Sequence, residues 1–248
     1  MPSTTSLEMK EHDAGTERQE CMKNPFYPLL ALVLKAVLKK PAVFGLENVT
    51  GQTPSIFVSN HEGFFAPVYL MLFVKLDFIP WVVYENFNIR LCREYIKGDF
   101  VEPALHLHEP WSSLVAGIIS PICVGIMKYV HAIPVYHSSK SIVETMERSI
   151  RELENGRNLL IFPEDPKDRT EPYIRAFQTG FFHLAKMMYE KNRKPVSFYP
   201  IYVNRRTNQI RIGEGIPYNP ASPFHQEQKR ILHALRESML AMRTESEK

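Results

Sequence analysis

Cysteine is scarce in this chain, and the three present, Cys21, Cys92 and Cys123, lie far apart. They form no C-x-x-C pair and no even-numbered framework. That excludes a disulfide-stapled scaffold and favours a reducing compartment. None has the basic or helix-start setting that marks a nucleophilic thiol. An excess of one charge is also lacking. Lys+Arg 30 against Asp+Glu 27 leave a formal net charge of +3. This is too little to argue for nucleic-acid binding, but it suits an anionic membrane surface. There is no internal repeat and no low-complexity block. The absence of a G-x-S-x-G elbow removes the usual support for a serine hydrolase. Gly213-x-Gly215 has no third glycine in position and opens no helix, so it is no dinucleotide loop. His106-x-His108 with Glu109 has a metal-like spacing, since alternate residues of a strand face the same way. Without a third ligand nearby it reads as a loop or surface pair.

What is present is a folded core. Apolar residues make up 44% of the 248, and the 19 prolines are scattered rather than clustered, an ordinary composition for one α/β domain. Residues 1–24 are polar with charges of both signs and lack the apolar centre of a signal peptide, so they are expected to be a disordered polar tail. Residues 25–40 are expected to form an amphipathic interfacial helix, and 41–248 a single domain. The run Phe26, Leu29, Leu30, Leu32, Val33, Leu34, Val37, Leu38 is too short to span a bilayer, which needs roughly 20 residues. With Lys35, Lys39 and Lys40 at its end it suits the headgroup region, while the competing reading is a helix covering the domain's own core. Trp111–Met127 is a second long uncharged stretch. Pro121 and the flanking His106, His108 and Lys128 favour a buried or partly inserted helix over a full span.

Elsewhere the pattern alternates. Val43–Gly45, Ser55–Ser59, Ile79–Tyr84, Ala132–Val135, Leu159–Phe162 and Ser197–Val203 read as strands. A helix opened by the capping-box pattern Ser141-x-x-Glu144 carries Ile142, Met146, Ile150 and Leu153 on one stripe and closes at Gly156. Another carries Phe177, Phe181, Leu184 and Met188, and a last one Gln228, Leu232, Leu235, Met239 and Met242. Strand, helix, strand in this order predicts parallel pairing with right-handed crossovers. The expected fold is therefore α/β, a twisted, mainly parallel sheet flanked by helices, with the N-terminal amphipathic helix docking it to a membrane.

Two strands end abruptly in polar residues. Ile56-Phe57-Val58 runs into Ser59-Asn60-His61, and Leu159-Leu160-Ile161 into Phe162-Pro163-Glu164. Open α/β sheets bind ligands at the carboxyl ends of their strands, so a histidine and a glutamate delivered there predict one site built from distant segments.

These blocks, in this order, resemble the PlsC-like glycerolipid acyltransferases, the lysophosphatidate (1-acylglycerol-3-phosphate) acyltransferase family. The similarity runs from Val43 to Tyr218 through Phe57-Val58-Ser59-Asn60-His61, Ala132-Ile133-Pro134-Val135, Ile161-Phe162-Pro163-Glu164 and Tyr199-Pro200-Ile201-Tyr202-Val203. Phe44-Gly45-Leu46-Glu47-Asn48, Phe177-Gln178-Thr179-Gly180 and Gly213-Glu214-Gly215-Ile216-Pro217 support it. The resemblance implies transfer of a fatty acyl group from acyl-CoA or acyl carrier protein to the hydroxyl of a lysophospholipid or related glycerolipid. His61 would be the general base and Asn60 its positioning neighbour. Glu164, Lys167 and Arg169, with Phe162, Pro163 and His137, would bind the acceptor. The thioester already activates the carbonyl, so neither a metal nor a redox cofactor is implied. The expected partners are membrane lipids and the thioester donor, with no nucleic acid. The expected location is cytoplasmic, peripherally on the membrane.

The chain departs from the family pattern in three places. The acid expected five residues after the histidine is Ala66, so the H-x-x-x-x-D motif is degenerate. Tyr136-His137 stands where the family has an arginine. Asp165-Pro166-Lys167 replaces glycine, a variable residue and arginine, and Lys167 keeps the charge without the bidentate fork. Three outcomes follow: a carboxylate from elsewhere, Glu62 or Glu85, replaces the missing acid; His61 acts unassisted; or the protein is a catalytically inactive lipid-binding or scaffold module. If His61 is a base without its acid, an acid restored at position 66 is expected to raise activity.

Overall fold

The computed structural model describes residues 25–49, 54–63, 65–136, 141–164 and 177–247. Its elements run α1 (Phe26–Val37), β1 (Ala42–Phe44), β2 (Ser55–Ser59), α2 (Phe65–Phe73), β3 (Phe78–Val83), α3 (Ile89–Ile96), α4 (Glu102–Leu105) and α5 (Trp111–Tyr129). They continue with β4 (Ile133–Val135), α6 (Ile142–Glu154), β5 (Asn158–Ile161), α7 (His183–Asn192), β6 (Ser197–Asn204), β7 (Gln209–Ile212), β8 (Ile216–Pro217) and α8 (Phe224–Ser246). Two compact units result. One comprises the described parts of Met1–Leu34 and Val82–Ser139, the other those of Lys35–Trp81 and Lys140–Lys248.

The second unit holds the sheet, ordered β1-β7-β6-β2-β5-β3, with β8 also on β6. β2 pairs in parallel with β5 and β6, and β3 in parallel with β5. β2 lies in the interior, and its five residues are all buried. A parallel strand covered on both faces is apolar through its centre, which is why Ile56-Phe57-Val58 reads as a continuous run rather than an alternating one. Side chains then sort by the two-residue period. Phe57, Leu160, Tyr199, Ile201 and Val203 form one core with Ala66, Tyr69 and Leu70 of α2. Phe198, on the opposite face of β6, stacks on Phe182 with ring centroids 4.9 Å apart. The mixed, mostly parallel sheet with flanking helices is the expected α/β fold.

Three local readings are corrected. Phe177 does not open a helix but pairs with Glu164 in an isolated antiparallel bridge, and helical structure starts only at Gly180. Ser141 adopts helical dihedrals at the start of α6 and its side chain makes no cap bond. The sheet also gains β7, antiparallel to β6 and parallel to β1. Its approach to β1 fixes Gly45, at φ 81°, where a Cβ would lie 1.9 Å from the Ile212 carbonyl oxygen. Only glycine tolerates both the left-handed backbone and that contact.

The first unit is mainly helical. α5 buries Ser112, Ala116, Ser120 and Val124 in a cluster with Cys92, Ile96 and Val101, a stripe at helical spacing. Tyr27 at the start of α1 stacks beside Tyr129, centroids 5.2 Å apart. Its hydroxyl lies so close to Gly125 that any side chain there would collide with it. No residue of α1 is buried.

Candidate functional site

The carboxyl ends of β2 and β5 meet in the sheet-bearing unit, and each contributes a motif residue. β2 ends at Ser59, and Asn60 continues its pairing with a side chain instead of the backbone. Its Nδ2 donates to the Val203 carbonyl at 3.0 Å, and its Oδ1 accepts from the Val203 N–H at 2.8 Å. Asn60 is 2% exposed. A primary amide presents one donor and one acceptor side by side, so the chain leaves the sheet here without orphaning Val203. That anchor sets the position of the next residue. His61 is exposed, and its ring packs edge-on against Phe162, centroids 5.3 Å apart and planes at 77°.

Glu164 closes the arrangement. Its Oε2 accepts from the His61 backbone N–H at 3.0 Å, tying together two segments 103 residues apart. Pro163 is buried beside it, and the Pro163 carbonyl accepts from the Gln178 N–H at 2.7 Å. With the Glu164–Phe177 bridge, this clamps the chain on both sides of 165–176. Among the expected site residues, then, Asn60, His61, Phe162, Pro163 and Glu164 come together. Lys167 and Arg169 lie outside the described residues, as does His137. Glu85 belongs to the other unit.

Ala66 is fully buried in the apolar core beneath α2. Glu62 is partly buried, and burial raises its carboxyl above the usual range while the Arg205 guanidinium works in the opposite direction. It lines an open groove of about 620 Å³ with Tyr202, Asn204, Arg205, Arg206, Arg243 and Glu247. Burial, with Glu62 adding to it and Arg243 opposing, pushes the Tyr202 phenol up to about 12. The sequence reading missed this groove. Arg205-Arg206, just past the fourth motif block, was the one available signal, and Arg243 reaches the groove only through the fold.

Residues 105–204 match the family model described as Acyltransferase. That stretch holds Glu164 and the last three of the four motif blocks but begins after His61. A solved structure of the 1-acyl-sn-glycerophosphate (LPA) acyltransferase PlsC from Thermotoga maritima is similar to this chain at 15% identity. The likeness covers 94% of this chain and 82% of that one, with a TM-score of 0.49. No curated protein matches.

Proposed function

We propose that this protein transfers a fatty acyl group from a thioester, acyl-CoA or acyl carrier protein, to the hydroxyl of a lysophospholipid or related glycerolipid, with His61 as the base. The observation that carries this reading is the 3.0 Å bond from the His61 N–H to Glu164. It brings the histidine of one strand end to the glutamate of another on the ligand-binding edge of the sheet. The imidazole takes the proton of the acceptor hydroxyl as its oxygen attacks the thioester carbonyl. The tetrahedral intermediate then collapses, the C–S bond breaks, and the imidazolium returns the proton to the departing thiolate. Asn60 holds the backbone of the base, while Glu164, Lys167, Arg169 and His137 are assigned to the acceptor.

The helical unit supplies the membrane contact in this reading. α5 is long and apolar enough to cross a bilayer by length and composition, and only 22% of its apolar window is buried. Trp111, Leu114 and Ile118 are 63%, 53% and 60% exposed at spacings that form one stripe, opposite the buried one. Leu29, Leu32 and Val33 of α1 are exposed as well. Such a surface suits a protein whose substrate is lipid, placed peripherally on a membrane.

Acceptor-dependent thiol release from acyl-CoA tests the chemistry. A panel of lysolipids should support turnover by the wild type, and His61→Ala should reduce it by about 10²-fold or more, the usual worth of a general base. Equal thiol release by both proteins, unaffected by acceptor, would instead establish a lipid-binding or scaffold module that kept the fold.

A further inference from the structure

Two of the three cysteines, far apart in sequence, meet in the helical unit. Cys92 lies on α3 and Cys123 on α5. Cys92 belongs to the apolar cluster these helices share with Ile96, Val101 and Ala116, and Cys123 packs against it. α5 turns Ser112, Ala116 and Ser120 inward, and side chains this small let a neighbouring helix approach the α5 backbone. Cys92 makes that approach: its Sγ donates to the Ser120 carbonyl at 3.9 Å. Cys123 follows Ser120 by three residues, so its side chain stands on the same side of α5. The two thiols hydrogen-bond to each other. What conditions Cys123 is therefore another thiol rather than a basic neighbour or a helix start, which is why residue spacing does not announce the pair.

The pair is unequal. Cys92 is fully buried, whereas Cys123 is partly exposed. The Cys92 hydrogen bond holds the Cys123 thiol below the ordinary range, although burial works against it. The same bond and burial push Cys92 up, so Cys92 keeps its proton. One thiol is thus reachable and readily ionised, and the other is buried, protonated and in contact with it. That is the division of labour between an attacking and a resolving cysteine. Among the described residues no group of three His, Cys, Asp or Glu stands together to hold a metal. Two thiols alone are suited to redox chemistry.

We propose that Cys92 and Cys123 are a redox-modification site, a dithiol that a peroxide converts reversibly to a disulfide joining α3 to α5. The Cys123 thiolate attacks one peroxide oxygen. The S–O bond forms, the O–O bond breaks, and the departing hydroxide takes up the proton that Cys123 gave up. The Cys92 sulfur then attacks the sulfenic sulfur of Cys123. The S–S bond forms, the S–O bond breaks, and the hydroxyl leaves with the Cys92 proton as a second water. The two thiols lose two electrons and the peroxide gains them. A dithiol reductant reverses the link by thiol–disulfide exchange. The proposal is independent of the acyl-transfer reading, since neither sulfur belongs to the sheet-bearing unit.

Oxidation of the full chain tests this in a Cys21→Ser background, which leaves these two thiols alone. Stoichiometric hydrogen peroxide should remove both from alkylation together. Peptide mass spectrometry should find Cys92 and Cys123 linked within one chain, and dithiothreitol should restore both thiols. Adding Cys92→Ser should leave Cys123 as a sulfenic acid that dimedone traps. Adding Cys123→Ser instead should leave a Cys92 that reacts about tenfold or more slowly than Cys123 does alone, as its burial and retained proton require. The proposal is overturned if the thiols disappear independently with no linked peptide, or if the link forms only between chains. It is equally overturned if Cys92 reacts faster than Cys123, or if both survive peroxide that oxidises free cysteine. Peptide mapping of the oxidised wild-type chain, with circular dichroism confirming its fold, makes the same decision should a variant unfold.

Discussion

Ala66→Asp is the perturbation that most directly opposes two accounts of this site. Supplying the acid of the family motif would strengthen a base that merely lacks its partner. The structure puts position 66 at 0% exposure among Phe57, Tyr69, Leu70, Leu160 and Val203, where a carboxylate meets carbon rather than an imidazole. Two costs add. Extra atoms forced into a close-packed core typically cost about 1–3 kcal/mol. A carboxyl left there without partners costs about as much again if it stays protonated, and several kcal/mol if it ionises. The variant should therefore lose about 2–6 kcal/mol, a large share of the roughly 5–15 kcal/mol that holds a domain folded.

The pH dependence identifies which account is right. In apolar surroundings the native carboxyl titrates above its unfolded value near 3.9, so the native state keeps a proton that the unfolded chain has released. Stability then falls as pH rises from the unfolded value through the native one. Urea unfolding at about pH 4 and about pH 8 should show the larger deficit at pH 8, while Ala66→Asn, uncharged and similar in size, should show a deficit independent of pH. An aspartate that instead paired with the His61 imidazolium would have a depressed native value, and its stability contribution would appear above pH 4. Wild-type stability at pH 8, together with raised turnover, would refute the core assignment and restore the missing-acid account.

Asn60→Ala removes both partners of the Val203 backbone groups. It should cost about 2–6 kcal/mol, at roughly 1–3 per buried group left unpaired; a shift of the urea midpoint below that scale would mean that the amide pair does not anchor the end of β2. Glu62 should reveal its raised native carboxyl in the opposite sense to a paired acid. Glu62→Gln is expected to be more stable than the wild type at neutral pH, with the gain fading as pH falls toward the unfolded value near 4.5, and a gain that grows in acid would contradict the burial argument. Leu114→Glu/Ile118→Glu places charges on the exposed stripe of α5 and should abolish sedimentation with anionic liposomes without changing the thermal midpoint. Retained sedimentation would remove α5 from the membrane contact.

What the sequence disclosed and what it hid follow from how each signal arises. β2 was legible to the residue because the centre of a strand buried on both faces has to be apolar, here Ile56-Phe57-Val58, and its polar exit at Asn60-His61 marked the edge of the sheet. β7 was not, since Gln209-Ile210-Arg211-Ile212 is a four-residue alternation whose polar side is half solvent. It takes its place by pairing with β1 and β6, where Phe44 of β1 lies beneath Arg211, 4.7 Å from ring centroid to guanidinium. Phe177 was read into a helix because Phe181 and Leu184 continue its period, yet the bridge to Glu164 captured it, a tertiary pairing that periodicity cannot register. The histidine–glutamate contact was foreseen as a site, but not as a bond from backbone to side chain, because both motifs announce side chains alone. The arginine groove lay furthest from view. Arg205-Arg206 reads in sequence as an ordinary turn, and Arg243 becomes its neighbour only when the amide of Asn204 binds Ser246. The motif block ends at Val203, so Arg205 and Arg206 lie just beyond what it describes. Position 66 was given to packing, while Arg205, Arg206 and Arg243 gather in a groove made from segments the motif does not describe.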